Sequence, residues 1–215
     1  MFEAVTNYGV IGRAVKEGRI LFDCINPREF TVDRHRTVDD RPYGGGPGML
    51  MKIEPLKRAI ESAIDKDNIK AKVIYLSPQG EKFTHTLAKK LSHEKHLVLL
   101  CGRYEGVDQR LIDEVVDIEI SVGDFVLSGG ELPSMLVIDA VTRFLPEVLG
   151  HSESAEADSF EDGLLDHPHY TRPESVDGDL VPEVLLSGNQ AKIDAWRKEQ
   201  AIKKTKQNRP DILSN

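Results

Sequence analysis

Asp158 heads the run Asp158-Ser159-Phe160-Glu161-Asp162-Gly163-Leu164-Leu165-Asp166-His167-Pro168-His169-Tyr170-Thr171-Arg172-Pro173. So dense a His/Tyr/Arg/Pro run has little use as core and much use as a polar site. A carboxylate at its head can accept a proton from a bound substrate. Upstream lie three glycine turns, each following an apolar run: Leu76-Ser77-Pro78-Gln79-Gly80, Gly102-Arg103-Tyr104-Glu105-Gly106, and Ser121-Val122-Gly123-Asp124-Phe125-Val126-Leu127-Ser128-Gly129-Gly130. Glycines let the backbone approach a ligand closely. None of the turns is a G-x-G-x-x-G fingerprint or a G-x-x-x-x-G-K-[ST] loop, so hydride and phosphoryl transfer lose support. Proton chemistry beside a cofactor held by loop backbone fits best. His167 and His169 form an H-x-H pair, but no third ligand lies at convincing spacing, so no metal centre is expected.

The elements that must position these residues alternate in type. Glu3–Lys16 reads as one helix stopped by Gly18, and Arg19–Ile25 as a strand. A polar loop from Asp33 to Gly48 follows. Glu54–Lys66 carries Leu56, Ala59, Ile60, Ala63 and Ile64 at helical spacing, with Pro55 in its first turn. Ala71–Leu76 and His96–Cys101 read as strands flanking a helix at Thr84–Ser92, and the second is apolar enough to be covered on both faces. Asp108–Val115 is helical, Asp117–Ile120 a strand, and Glu131–Phe144 a buried helix. Such alternation implies an α/β domain with a largely parallel sheet. The pattern breaks near Leu149. An acidic segment of few apolar residues follows and is expected to be flexible. Beyond it, a helix at Gln190–Lys204 belongs to a small, mostly helical second domain, with Ile193, Trp196, Gln200 and Ile202 toward its core.

The totals narrow the class. The chain has 215 residues, 40% hydrophobic and 30% charged, with net charge −8. No run approaches the ~20 apolar residues that span a bilayer, and the start has no secretory pattern. Cys24 and Cys101 read as buried free thiols of a reducing, cytoplasmic setting. The negative sum argues against nucleic acid, yet Lys192, Arg197, Lys198, Lys203, Lys204, Lys206 and Arg209 cluster late in the chain. A basic face of that kind can bind phosphate whatever the total.

Five strings in series closely resemble the bacterial tRNA (guanine-N1)-methyltransferases: Val38-Asp39-Asp40-Arg41-Pro42-Tyr43-Gly44-Gly45-Gly46-Pro47-Gly48-Met49, Tyr75–Gly80, Cys101–Gly106, Gly123–Pro133 and the Asp158–Pro173 run. The resemblance covers nearly the whole chain. It implies a SPOUT-type α/β fold, a parallel sheet with a deep trefoil knot, plus a small, mostly helical C-terminal domain. The expected division is 1–149 for an S-adenosylmethionine-binding domain, 150–163 for a flexible acidic linker, and 164–215 for a helical tRNA-binding domain. Other members have one further strand ahead of the segment matching Met1-Phe2, and a helical stretch beyond Leu213.

The implied reaction moves a methyl group from S-adenosyl-L-methionine to N1 of the guanine at tRNA position 37, just 3′ of the anticodon. The implied catalytic residues are Asp158, as the base for the N1 proton, and Arg143, facing the charge that develops on O6. The implied cofactor contacts are Tyr75, Leu76, Ser77, Pro78, Gly102, Tyr104, Glu105, Gly106, Ser121, Val122, Gly123, Asp124, Phe125, Val126, Leu127, Gly129, Gly130 and Pro133. His169, Arg172, Lys192, Arg197, Lys203 and Lys204 are expected to meet tRNA. Mg2+ is a candidate accessory ion. The implied partner besides tRNA is a second copy of the chain, sharing each site in a homodimer, with no membrane association. Two alternatives stay open: a related methyltransferase acting on a ribose hydroxyl or on ribosomal RNA, for which Asp158 would be dispensable, and a non-catalytic RNA-binding module, which leaves the glycine loops unexplained.

Overall fold

The computed structural model describes residues 1–65, 69–149 and 158–214. The chain forms two compact units, Met1–Gly150 and His151–Asn215.

The first unit is organised on a parallel sheet in the order β4-β3-β5, where β3 is Lys72–Lys82, β4 is Leu97–Cys101 and β5 is Ile118–Ser121. Val73, Ile74, Tyr75 and Leu76 of the central strand are all buried. Their alternation splits the core in two. Val73 and Tyr75 face Leu100, Val107, Met51, Leu56 and Ile60 of α3 (Ile53–Asp65), and Leu111 of α5 (Gln109–Val115). Ile74 and Leu76 face Ala88 and Leu91 of α4 (His85–Leu91), Ile120, and Val137 and Val141 of α6 (Glu131–Thr142). A strand covered on both faces must be apolar throughout, and each such side chain contributes about 1.5–3 kcal/mol on burial.

Side chains set the element ends. Thr84 Oγ1 accepts from Leu87 N at 3.2 Å, and Asp108 Oδ1 accepts from Arg110 N at 3.0 Å, satisfying helix-start donors that would otherwise lack partners. Asp117 fastens β5 to β3 twice: its Oδ2 accepts from Val73 N at 2.7 Å, and its own N–H donates to Val73 O at 2.9 Å.

Two expectations fail in this unit. The single helix over 3–16 is two helices, α1 (Glu3–Thr6) and α2 (Gly9–Lys16), broken where the Asn7 N–H closes back on Glu3 O and Gly9 takes φ +64°. Arg19–Ile25 is not a strand, because among the described residues no neighbour pairs with it. Cys24 is consequently exposed rather than buried. The segment is held by side chains instead: Phe22 stacks 5.4 Å from Phe2, and Arg19 pairs with Glu17 and Glu147.

A short ladder joins β1 (Asp39–Asp40) to β2 (Leu50–Met51) and brackets the glycine-rich loop Pro42–Gly48. Met51 N–H donates to Gly106 O at 2.9 Å and Glu105 N–H to Met49 O at 3.0 Å, so this ladder is stitched to the second glycine turn.

The second unit is built on α8 (Gln190–Asn208), preceded by α7 (Glu183–Leu186) and by the hairpin β6 (Ser175–Val176) and β7 (Asp179–Leu180). Asp177 and Gly178 both have positive φ, the conformation that a two-residue hairpin turn requires. Asn189 Oδ1 caps α8 by accepting from Lys192 N. The helix runs four residues past the Lys204 end that periodicity suggested. Ile193, Ala201 and Thr205 are buried on one side; Trp196, Gln200 and Ile202 are half-buried beside them.

Candidate active site

Parallel pairing decides where the three glycine turns go. Leu76 lies opposite Cys101 on one side and Ile120 on the other, so all three strands end at one edge and their loops leave together. In parallel α/β sheets that carboxyl edge is where ligands bind.

The first loop is a wide irregularity within β3. Leu76 and Glu81 both lie opposite Ile120, so Ser77–Gly80 arches out of the sheet before the chain resumes pairing. Ser77 Oγ accepts from Gln79 N at 3.1 Å and tightens the arch around Pro78. Gly80 closes it: a Cβ there would lie 2.4 Å from backbone atoms of Glu119 and Ile120, so no larger residue fits.

The second loop, Gly102–Gly106, rests on Tyr75. A Cβ on Gly102 would sit 3.0 Å from that ring, which makes Tyr75 a buried floor beneath the loop. Burial, reinforced by the Glu119 carboxylate, raises the Tyr75 phenol above its ordinary pKa. Tyr104 stands on top, half-exposed with φ +59°, and its hydroxyl accepts from Arg28 Nη2 at 3.4 Å. Glu105 is exposed on the rim.

The third loop starts at Ser121, whose Oγ holds the Gly123 N–H at 3.3 Å and donates to Gly123 O at 3.1 Å. Asp124, Phe125, Val126 and Leu127 are exposed, Val122 is half-buried, and Gly130 and Pro133 are buried. Gly130 N–H donates to Gly102 O at 2.8 Å, tying the third loop to the second. Arg103 Nε adds an ion pair to Glu131 Oε1 at 2.8 Å. Cys101 Sγ and Ser134 Oγ share a contact at 3.1 Å below, and burial pushes the thiol up to about 11 against the opposing pull of that hydroxyl.

The three loops thus form one continuous rim of backbone amides, small residues and exposed apolar side chains. This surface suits a flat heterocycle with a polar tail. Sequence reasoning found the loops but missed Arg103, Glu131 and Ser134, the side chains that lock them. The i, i+28 spacing of Arg103 and Glu131 carries no local signal.

Arg143 belongs to the first unit, at the carboxyl end of α6, where its N–H donates to Asp139 O at 3.3 Å. Asp158 and the residues expected to meet tRNA belong to the second. Of the acidic linker expected at 150–163, residues 150–157 lie outside the described residues, Glu153 and Glu156 among them. From Asp158 onward the chain folds against α8. The buried Thr205 Oγ1 accepts from Leu165 N at 2.8 Å and donates to Ala201 O at 2.7 Å. Phe160 N–H closes on Leu164 O at 2.7 Å, with Arg209 stacked 5.8 Å over the Phe160 ring. Asp158 itself is exposed. His169, Arg172, Lys192, Arg197 and Lys203 are exposed and Lys204 is half-buried, so most of this charge faces solvent.

The loop junction has a sharp steric test. A Cβ on Gly130 would lie 2.6 Å from Cys101 Cα and 2.9 Å from Gly102 N, both backbone, whereas one on Gly129 would meet only the ends of the Arg103 and Glu131 side chains. Gly130→Ala should therefore destabilise the chain by about 1–3 kcal/mol, and Gly129→Ala by less than about 1 kcal/mol. Urea denaturation of the two variants decides it, and equal midpoints would contradict the packing described.

Comparison with known proteins agrees with this geometry. The family described as tRNA (Guanine-1)-methyltransferase TrmD matches residues 1–215. A protein of Psychromonas ingrahamii named tRNA (guanine-N(1)-)-methyltransferase is 61% identical over 218 aligned residues, covering 100% of this chain and 88% of that protein. Proteins of the same name from Photorhabdus laumondii and Pseudoalteromonas translucida are 59% and 60% identical, covering 100% of this chain and 86% and 84% of theirs. A full-length family match together with identities near 60% leaves one conclusion: the chain belongs to the tRNA (guanine-1)-methyltransferase TrmD family.

Proposed function

We propose that this chain methylates N1 of a guanine in tRNA, at position 37 beside the anticodon, with S-adenosyl-L-methionine as donor. The observation that carries the proposal is the full-length family match on a chain whose three glycine loops leave one edge of a parallel sheet. The rim offers the donor exposed apolar surface, since Tyr104, Phe125 and Val126 can meet an adenine. Bound there, the donor supplies an electrophilic methyl group on a sulfonium.

The chain's own residues do the rest. Guanine N1 carries a proton at neutral pH and is a poor nucleophile until it leaves. Asp158 accepts that proton, and Arg143 stabilises the negative charge that moves toward O6. The exposed cations of α8, with His169 and Arg172, hold tRNA phosphates, contacts that position without specifying. A ribose-methylating relative would need no base for a guanine N1 proton, and a binding module would have no use for the loops.

Mg2+ takes oxygen ligands. It is commonly held by one or two carboxylates and completed by water or substrate phosphate, and no step is assigned to it. The deep knot within 1–149 belongs to the same reading. Among the described residues no helix is long and apolar enough to cross a membrane; a cytoplasmic location belongs to the proposal only because tRNA is its substrate.

A homodimer with shared sites is the remaining part. Leu132 and Leu136 stand one turn apart on α6, 44% and 55% exposed, close in sequence to the exposed Phe125 and Val126. An apolar helix face next to a candidate site is what a second copy would cover.

Two outcomes follow. Asp158→Asn should reduce single-turnover methyl transfer about 10²–10⁴-fold while leaving donor affinity by calorimetry unchanged; undiminished transfer would remove Asp158 from the mechanism. In sedimentation velocity the native chain should run at twice its 24.0 kDa mass, and the double substitution Leu132→Glu and Leu136→Glu at the single mass. A native monomer would refute the shared site.

A further inference from the structure

We infer that Asp166, His167 and His169 form a binding site for one divalent transition-metal ion, with Zn2+ the best fit. Sequence spacing offered only the H-x-H pair; folding brings in Asp166 as the third ligand. One ligand atom from each residue lies within 4.8 Å of the other two. His169 Nε2 is 2.6 Å from Asp166 Oδ2 and His167 Nε2 is 3.8 Å from Asp166 Oδ1, so the two carboxylate oxygens each face a different ring. The rings lie with centroids 4.4 Å apart. Around a tetrahedral ion with bonds near 2.0–2.2 Å, adjacent ligand atoms are roughly 3.3 Å apart. The two Asp166–imidazole separations, 2.6 and 3.8 Å, straddle that spacing.

The tautomer of His167 points the same way. Its Nδ1 lies 3.1 Å from Pro168 O. A carbonyl only accepts, so Nδ1 donates there, and Nε2 is the ring atom that faces Asp166 Oδ1 at 3.8 Å. An Nδ1–H bonded to backbone carbonyl is also the usual support behind a metal-bound imidazole.

The carboxylate is prepared as a ligand. The Asp166 backbone N–H donates to Ser159 Oγ at 3.0 Å, and its Oδ1 accepts from His167 N at 2.7 Å. Two imidazoles and one carboxylate suit Zn2+, Co2+ or Ni2+. Three protein ligands leave a fourth position for water or an outside group.

The site also answers a structural need. The buried residues of α8 are only Ile193, Ala201 and Thr205, a thin core for a small unit, and small units commonly gain stability from a bound metal. The cluster is tied through Ser159 to the neighbour of Asp158, so a bound ion would fix the start of that segment.

Co2+ titration of the full chain after chelator treatment tests the inference. Trp196 is the chain's single tryptophan, and its ring centroid is 6.5 Å from that of His167, close enough for paramagnetic quenching. The expected result is a visible d–d absorption saturating at one equivalent, quenching of Trp196 in parallel, and displacement of both by Zn2+. His167→Gln and His169→Gln should each weaken Co2+ binding at least about tenfold, while His93→Gln, which alters an exposed histidine after α4, leaves it unchanged. No saturable absorption in the native chain, or equal affinity in the His167 and His169 variants, would overturn the site.

Discussion

Parallel pairing of β3 with both β4 and β5 is the constraint from which the candidate site follows. Three turns far apart in sequence share one rim only because their strands end level, and one backbone hydrogen bond, Gly130 N–H to Gly102 O, closes two of them together. The glycines at Gly80 and Gly130 are places where a second backbone runs within contact distance of the position a side chain would take. The rim is rigid because it is assembled from strand ends. Rigidity of that kind is what a site needs if donor and acceptor atoms are to be held for displacement at carbon.

The second unit works on a different principle. It has little apolar interior, and a buried hydroxyl does much of the ordering: Thr205 spends its donor on its own helix and its acceptor on Leu165 N, which lays the run from Asp158 onward along α8. Asp158, His169 and Arg172 sit on loop segments of this unit, the first two beside residues held by polar contacts. That arrangement can change with ligand or metal more readily than a strand-built rim. A division of labour follows. The first unit supplies a preformed surface for the proposed donor, and the second supplies the proposed base and the charge for tRNA.

Much of this was legible in the residues. Both apolar runs were legible as strands, but the one expected to be covered on both faces was His96–Cys101, whereas it is Val73–Leu76 that is buried throughout; the glycine turns after each strand marked the ligand edge. The clustering of cations late in the chain was legible too, although a tRNA contact for them comes from the family resemblance. Failures came where structure depends on partners distant in sequence. Arg19–Ile25 has strand-like composition but no described strand to pair with, so propensity misled. The Arg103–Glu131 lock and the Cys101–Ser134 contact join residues 28 and 33 positions apart, beyond any periodic signal. Asp166 went unread as a partner of His169 although it lies only three residues before it, because outside a helix that spacing implies nothing about contact. The roles of Asp158 and Arg143 came from family resemblance: on composition alone, one is an ordinary loop acid and the other a cation at a helix end.

The central claim is that the common rim of the three loops holds the methyl donor. Hydrogen–deuterium exchange of the native chain, with and without saturating S-adenosyl-L-methionine, tests it most directly. The account predicts new protection concentrated at residues 76–80, 102–106 and 121–130. Protection confined to the second unit, or none in these loops at saturation, would contradict it.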